Sequence, residues 1–177
     1  SGCGCGVVLF ELRGRGRLLW AGGEPSLSIR PMRIVISSDP RLLHVLRGVV
    51  RYRAQEAGFG PAEVEYLTLA IDEAVANVMR HAYGNRRDAK LALEILAFPD
   101  RLEFVVEDTG PKVEPEALRP RALDDVRPGG LGTYFINCCM DAISYEENFA
   151  GGNRLRMVKH LPPKVSTSDE YSSQERG

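Results

Sequence analysis

Apolar residues recur along this chain with two periods, close to two in some stretches and close to 3.6 in others, and the switches between them outline the elements. Residues 33 to 37 (RIVIS) are β-branched and predict a short strand. Ser38 or Asp39 ahead of Pro40 forms a helix start, and Leu42, Leu43, Leu46, Val49 and Val50 recur at helical spacing up to about Ala57. Gly58 and Gly60 end that helix. Pro61 opens a second one reaching about Tyr83, where Gly84 and Asn85 supply a stop. Two strands come next, Lys90 to Phe98 and Arg101 to Asp108, joined by a turn at Pro99 and Asp100. Residues 111 to 130 hold four prolines and little periodicity, which predicts a long loop. Leu131 to about Met140 is again helical in pattern, and two short strands close the series near Ala142 to Glu146 and Arg154 to Leu161, separated by Gly151 and Gly152. Strands joined by short turns, with helices clustered in pairs, predict an α+β fold: a two-layer α/β sandwich with helices on one face of a mostly antiparallel mixed sheet.

The two ends read differently. Residues 1 to 31 are rich in Gly and Arg, and stand either as an extension outside the domain or as a β-hairpin of VVLFEL and RLLW around Gly14 to Gly16. Residues 162 to 177 carry few apolar groups to offset the entropy of ordering and are expected to be a disordered tail. The expected domain therefore runs from 32 to 161.

Bulk composition narrows the function classes. A length of 177 residues suits one domain with a proper core. With 27% charged residues and a net charge of -1 there is no basic excess of the kind that nucleic-acid binding uses, so no direct nucleic-acid partner is expected. No apolar run approaches the roughly 18 residues that span a bilayer, so no membrane partner is expected either. The four cysteines, Cys3, Cys5 and the adjacent Cys138 and Cys139, match neither a zinc spacing nor a disulfide framework, which fits a cytoplasmic protein.

On a wheel of about 100° per residue, Val64, Leu67, Ile71, Ala74, Val75, Val78 and Ala82 form one stripe of the second helix, the core side. Glu73, Asn77 and His81 fall at i, i+4 and i+8 on a second stripe beside it. Such a line is either a solvated polar face or an acid, an amide and an imidazole facing one ligand. In the strand that ends at Asp108, Leu102, Phe104, Val106 and Asp108 share one parity, so the core-facing side ends in a carboxylate, and a buried carboxylate requires a donor. Gly110 lets a flat ligand approach the backbone. Finally Gly129, Gly130, Leu131, Gly132 and Thr133 lead straight into a helix, and free amides at a helix start make a phosphate site. Neither the Lys-Ser/Thr ending of a P-loop nor a βαβ setting accompanies them.

In this order, IDEAVANVMRHAYG (71 to 84), EDTGP (107 to 111) and PGGLGTYFI (128 to 136) resemble the N, G1 and G2 boxes of the GHKL (Bergerat-fold) ATPases, and most closely the RsbW-type anti-sigma factor serine/threonine kinases. The resemblance covers about Arg33 to Leu161 and implies a histidine-kinase-like ATPase fold with ATP and Mg²⁺ as cofactors. It implies Asn77 as the Mg²⁺ ligand, Glu73 as general base, Asp108 as acceptor from the adenine amino group with Gly110 beneath the base, and Gly130, Leu131, Gly132 and Thr133 around the phosphates. His81 is carried along as a further nucleotide-side residue. Residues 111 to 130 become an ATP lid holding Arg119, Arg121 and Arg127. The partners implied are a STAS-domain anti-anti-sigma factor that is phosphorylated and a sigma factor that is sequestered, with a homodimer as the common assembly. One departure stands out: where many relatives have Gly-Thr in the last strand region, Gly152 is followed here by Asn153. The alternative reading is a regulatory binding module of the same fold in which nucleotide sets shape without catalysis.

Overall fold

The computed structural model describes residues 9–12, 29–112, 130–146 and 149–162. In chain order these form β1 (Leu9–Leu12), β2 (Ile29–Ser37), a 3-10 turn (Pro40–Leu42), α1 (Leu43–Ala57), α2 (Pro61–Asn77), a π-turn (Val78–Ala82), β3 (Lys90–Ala97), β4 (Arg101–Asp108), α3 (Gly130–Cys139), β5 (Ala142–Tyr145) and β6 (Asn153–His160). The strands make one six-stranded sheet in the order β1-β2-β3-β4-β6-β5. Every described pairing is antiparallel, so the parallel pair that a mixed sheet would contain is not seen among these strands.

Alternation along the strands sends one set of residues to the helical layer. Ile34 and Ile36, Leu91, Leu93 and Ile95, Leu102, Phe104 and Val106, then Leu155 and Met157 pack against Leu46, Val50 and Ala54 of α1, Leu67, Ile71 and Val75 of α2, and Ile136 and Met140 of α3. Burial of aliphatic side chains on this scale is the main force holding the layers together, at about 1.5–3 kcal/mol for each fully buried one. The opposite parity carries charge. Glu107 is held by Arg33 at 2.7 Å and by Arg154, and Glu103 by Arg101 at 2.8 Å and Arg156 at 2.7 Å. Both carboxylates are buried between their arginines. Burial opposes ionisation of Glu107, but the hydrogen bonds from Arg33 and Arg154 outweigh it and hold its carboxyl below the ordinary range.

Local signals explain the helix ends. The Asp39 carboxylate accepts from the Arg41 amide at 3.0 Å, opening the 3-10 turn ahead of α1. Glu63 accepts from the Gly60 amide at 3.1 Å, with Pro61 in the first turn of α2. β2 starts ahead of the strand that the pattern suggested, and its register with β3 shifts between Ile29 and Met32. Pro31 lies in that interval and has no amide to give to a ladder; it also falls beyond the end of β1, whose last pair is Leu12 with Met32. The sheet therefore takes in residues ahead of Met32. Leu9–Leu12 is extended, as the hairpin reading required, but its partner is β2; RLLW and the turn around Gly14 to Gly16 lie outside the described residues, as does the tail from 163.

Candidate functional site

The second helix does not keep one geometry to Tyr83. After Asn77 it widens into a π-turn, with the Tyr83 amide donating to the Val78 carbonyl five residues back at 3.1 Å. His81, inside this turn, is exposed. Arg80, seven residues after Glu73 and three after Asn77, joins them. Its Nη2 donates to Glu73 Oε1 at 2.5 Å and to Asn77 Oδ1 at 2.8 Å, so one guanidinium joins the acid and the amide. The Glu73 side chain keeps 27% exposure, half sheltered and still reachable.

The shelter comes from α3. A Cβ placed on Gly132 would lie 2.5 Å from Glu73 Cδ and 2.6 Å from its Cγ, so any side chain there would displace that of Glu73. Gly130, Leu131, Gly132 and Thr133 are the first four residues of α3, whose amides have no acceptor within the helix and whose end of the helix is the positive one. The structure thus brings the carboxylate of Glu73, the amide of Asn77 and a helix N-terminus to one place. The Thr133 carbonyl is engaged by Asn137 Nδ2 at 2.8 Å, which braces the first turn.

At the other end of the helix stands Asp108. It is buried, its Oδ1 accepting from the Gly110 amide at 2.8 Å and from Asn153 Nδ2 at 2.9 Å. Gly110 is pressed against the π-turn: a Cβ there would meet Ala82 Cβ at 2.7 Å. Gly152, with φ of 129°, passes so close to β4 that a Cβ would fall on the Asp108 carbonyl and lie 2.8 Å from Thr109 Cα. Tyr83 locks the same corner, its hydroxyl accepting from the Thr109 amide at 2.9 Å while donating to the Lys90 carbonyl. The helix therefore touches α3 at Glu73 and the end of β4 at Ala82. Nine residues at about 1.5 Å rise separate those contacts by roughly 13 Å, a span that suits an extended nucleoside triphosphate.

The residues present fit Mg·ATP. Among the described residues no cluster of three or more His, Cys, Asp or Glu gathers that would hold a metal by protein ligands alone. Mg²⁺ commonly takes only one or two protein ligands and completes its shell from phosphate and water. A single amide oxygen, Asn77 Oδ1, opposite a glycine-cradled helix start is such a donor set. Arg119, Arg121 and Arg127, with the lid expected around them, fall outside the described residues.

Comparison with known proteins bears on this arrangement. A family model described as a histidine kinase-like ATPase domain matches residues 36–159. A protein of Bacillus velezensis named serine-protein kinase RsbW is 27% identical over 144 residues, spanning 77% of this chain and 89% of its own. The protein of the same name from Bacillus pumilus is 31% identical over 136 residues, spanning 71% of this chain and 83% of its own. One from Listeria monocytogenes is 30% identical over 121 residues, 63% of this chain and 74% of its own. The chain belongs to the RsbW family of histidine kinase-like ATPase domains.

Within this RsbW-family domain, two contributors escaped the sequence reading. Arg80 lies seven residues after Glu73 and three after Asn77, spacings that share a helix face and were open to the same wheel. Asn153 was noted only as a departure, and its bond to Asp108 depends on the β4–β6 register that pairs the two residues. No helix among the described residues is long and apolar enough to cross a membrane.

Proposed function

We propose that this chain is an ATP-dependent serine/threonine kinase acting as an anti-sigma factor, and that its substrate is a STAS-domain anti-anti-sigma protein. The observation that carries the proposal is the placement of Glu73 and Asn77, one turn apart, against the glycine-built N-terminal turn of α3. In this reading Asp108 accepts from the adenine amino group and Gly110 lies beneath the base. The amides of Gly130, Leu131, Gly132 and Thr133 bind phosphate oxygens. Asn77 Oδ1 ligates Mg²⁺, which when bound spreads the charge developing on the transferring phosphoryl group.

Glu73 then orients the acceptor hydroxyl and takes its proton as the new O–P bond forms, and the bond to the β-phosphate bridging oxygen breaks to leave ADP. Asn77 Oδ1, which accepts from Arg80 at 2.8 Å, would hold the metal, and Arg80 would then be free to turn toward phosphate. The relatives' name, serine-protein kinase, supports the reaction class. A cytoplasmic location, and sequestration of a sigma factor when the partner is phosphorylated, complete the reading.

The test is transfer of radiolabel from γ-labelled Mg·ATP to a serine or threonine of a STAS-domain protein from the same host. Labelling by the wild-type chain, lost in Glu73→Ala with nucleotide binding retained, is the expected result. Tight nucleotide binding without transfer to any STAS-domain protein of the host overturns the kinase and leaves the regulatory binding module.

A further inference from the structure

Among the described residues the helical layer exposes Tyr52 of α1, Tyr134 of α3 and, on α2, an apolar line that leads to Glu73. Ala62, Tyr66, Leu69 and Glu73 succeed one another at i, i+4, i+7 and i+11 on α2, the spacing of a single helix face. All three residues before Glu73 are exposed, Tyr66 at 57% and Leu69 at 53%. The two flanks of α2 are occupied. On one side Arg51 pairs with Glu65 at 2.6 Å and Arg47 with Asp72 at 2.8 Å, tying α2 to α1. On the other, α3 begins against Glu73, and Ala70 is fully buried. Between these flanks the line through Tyr66 and Leu69 faces outward.

Two exposed apolar side chains alone mean little. What gives them a role here is distance from the carboxylate that has to meet the acceptor hydroxyl. Resting on the kinase reading above, we infer that Tyr66 and Leu69 form the docking surface for the phosphoacceptor protein itself. A protein hydroxyl reaches Glu73 only if it comes within about 3 Å of the carboxylate. The folded domain carrying it then covers the surrounding surface, and a stable contact occupies about 800 Å² on each partner, a disc of roughly 16 Å radius. Leu69 lies about 6 Å and Tyr66 about 10 Å along the helix from Glu73, inside that footprint. Along α2 and its continuation the exposed side chains between Asn77 and β3 are Arg80, His81, Asn85, Arg86, Arg87 and Asp88, so on this helix the apolar part of the footprint is the Tyr66 side, and α3 adds exposed Tyr134 two residues after Gly132. An apolar centre with a tyrosine anchor, rimmed by the Arg51–Glu65 and Arg47–Asp72 pairs, has the composition of a protein-binding surface. The partner that fits it carries a small apolar patch about one to two helical turns from its acceptor serine or threonine.

The test is steady-state phosphorylation of the labelled STAS-domain protein by wild type, Tyr66→Ala/Leu69→Ala and Glu73→Ala, with calorimetric binding of the same protein to the Mg·ADP-loaded chains. Both substituted side chains are exposed, so the double variant keeps the wild-type melting temperature and nucleotide affinity. The inference requires KM for the protein substrate, and its Kd, to rise at least tenfold while kcat at saturation stays within about twofold; Glu73→Ala lowers kcat instead. An unchanged KM and Kd overturns it, as does an unchanged KM accompanied by loss of a dimer, which would assign the line to a second copy of the chain. Should wild type bind the STAS-domain protein without phosphorylating it, the kinase reading falls and the Kd comparison still decides the docking surface. Absence of both binding and transfer ends both.

Discussion

The side-chain amide of Asn153 donates to Oδ1 of Asp108 over 2.9 Å, across a register pair of β4 and β6. The same amide donates to the Pro111 carbonyl at 2.8 Å, so Asn153 fixes both the carboxylate and the backbone just past it. Its amide supplies both N–H donors from one nitrogen. Asn153→Ala leaves Asp108 buried with one donor fewer. We expect a loss of about 1–3 kcal/mol in urea-induced unfolding and weaker ATP binding by calorimetry, with Asn153→Thr closer to wild type than alanine is. Equal nucleotide affinity in wild type and Asn153→Ala would separate this bond from the adenine site.

Two glycines to alanine should give opposite results. At Gly132 the added methyl falls on the side chain of Glu73, which can swing aside, so the melting temperature changes little while phosphotransfer drops at least tenfold. Gly48 lies inside α1, where an added methyl would have nothing within 4 Å, and Gly48→Ala should add about 0.5–1 kcal/mol of stability with activity unchanged. Thermal unfolding and a transfer assay on both variants check the pair.

Arg80 holds Glu73 and Asn77 from one nitrogen, and a partly exposed ion pair of this kind contributes little to folding. Arg80→Ala should therefore melt within about 2 °C of wild type. Its transfer rate should fall by roughly tenfold or more, and its half-saturating Mg²⁺ concentration should drop because Asn77 Oδ1 no longer exchanges partners. A wild-type rate and Mg²⁺ curve in this variant would mark the contact as idle.

Acid should unfold this domain through specific carboxylates. Asp39, hydrogen-bonded by Arg41, is lowered from 3.8 to about 2. Burial opposes ionisation of Asp141, yet the His160 amide and Lys159 hold its carboxyl below the ordinary range, as Arg33 and Arg154 do for Glu107. A carboxyl whose native pKa is depressed stabilises fully above its unfolded value and loses that contribution as pH falls through the native one. Urea midpoints should be flat from neutral pH down to about 5 and decline steadily toward pH 2. Glu107→Gln should be less stable at pH 7 and show a shallower decline; a parallel curve would remove Glu107 from the account.

The apolar periodicity determined the elements, the one-sided packing of helices on the sheet, and the core face of β4 that ends at Asp108, because alternation and helical spacing are properties of a local backbone. Glu73, Asn77, Asp108 and the Gly130–Thr133 turn were legible for the same reason, each sitting in a short motif. Tertiary structure decided the rest. The contact of the π-turn with Gly110 at Ala82 exists only once the end of α2 lies against the segment after β4, which no single helix encodes. The bond from Asn153 to Asp108 exists only once β6 is in register beside β4, and the closeness of Gly132 to Glu73 only once α3 lies against α2. Local pattern determines which groups are available along each element; packing between elements far apart in the chain sets which of them meet.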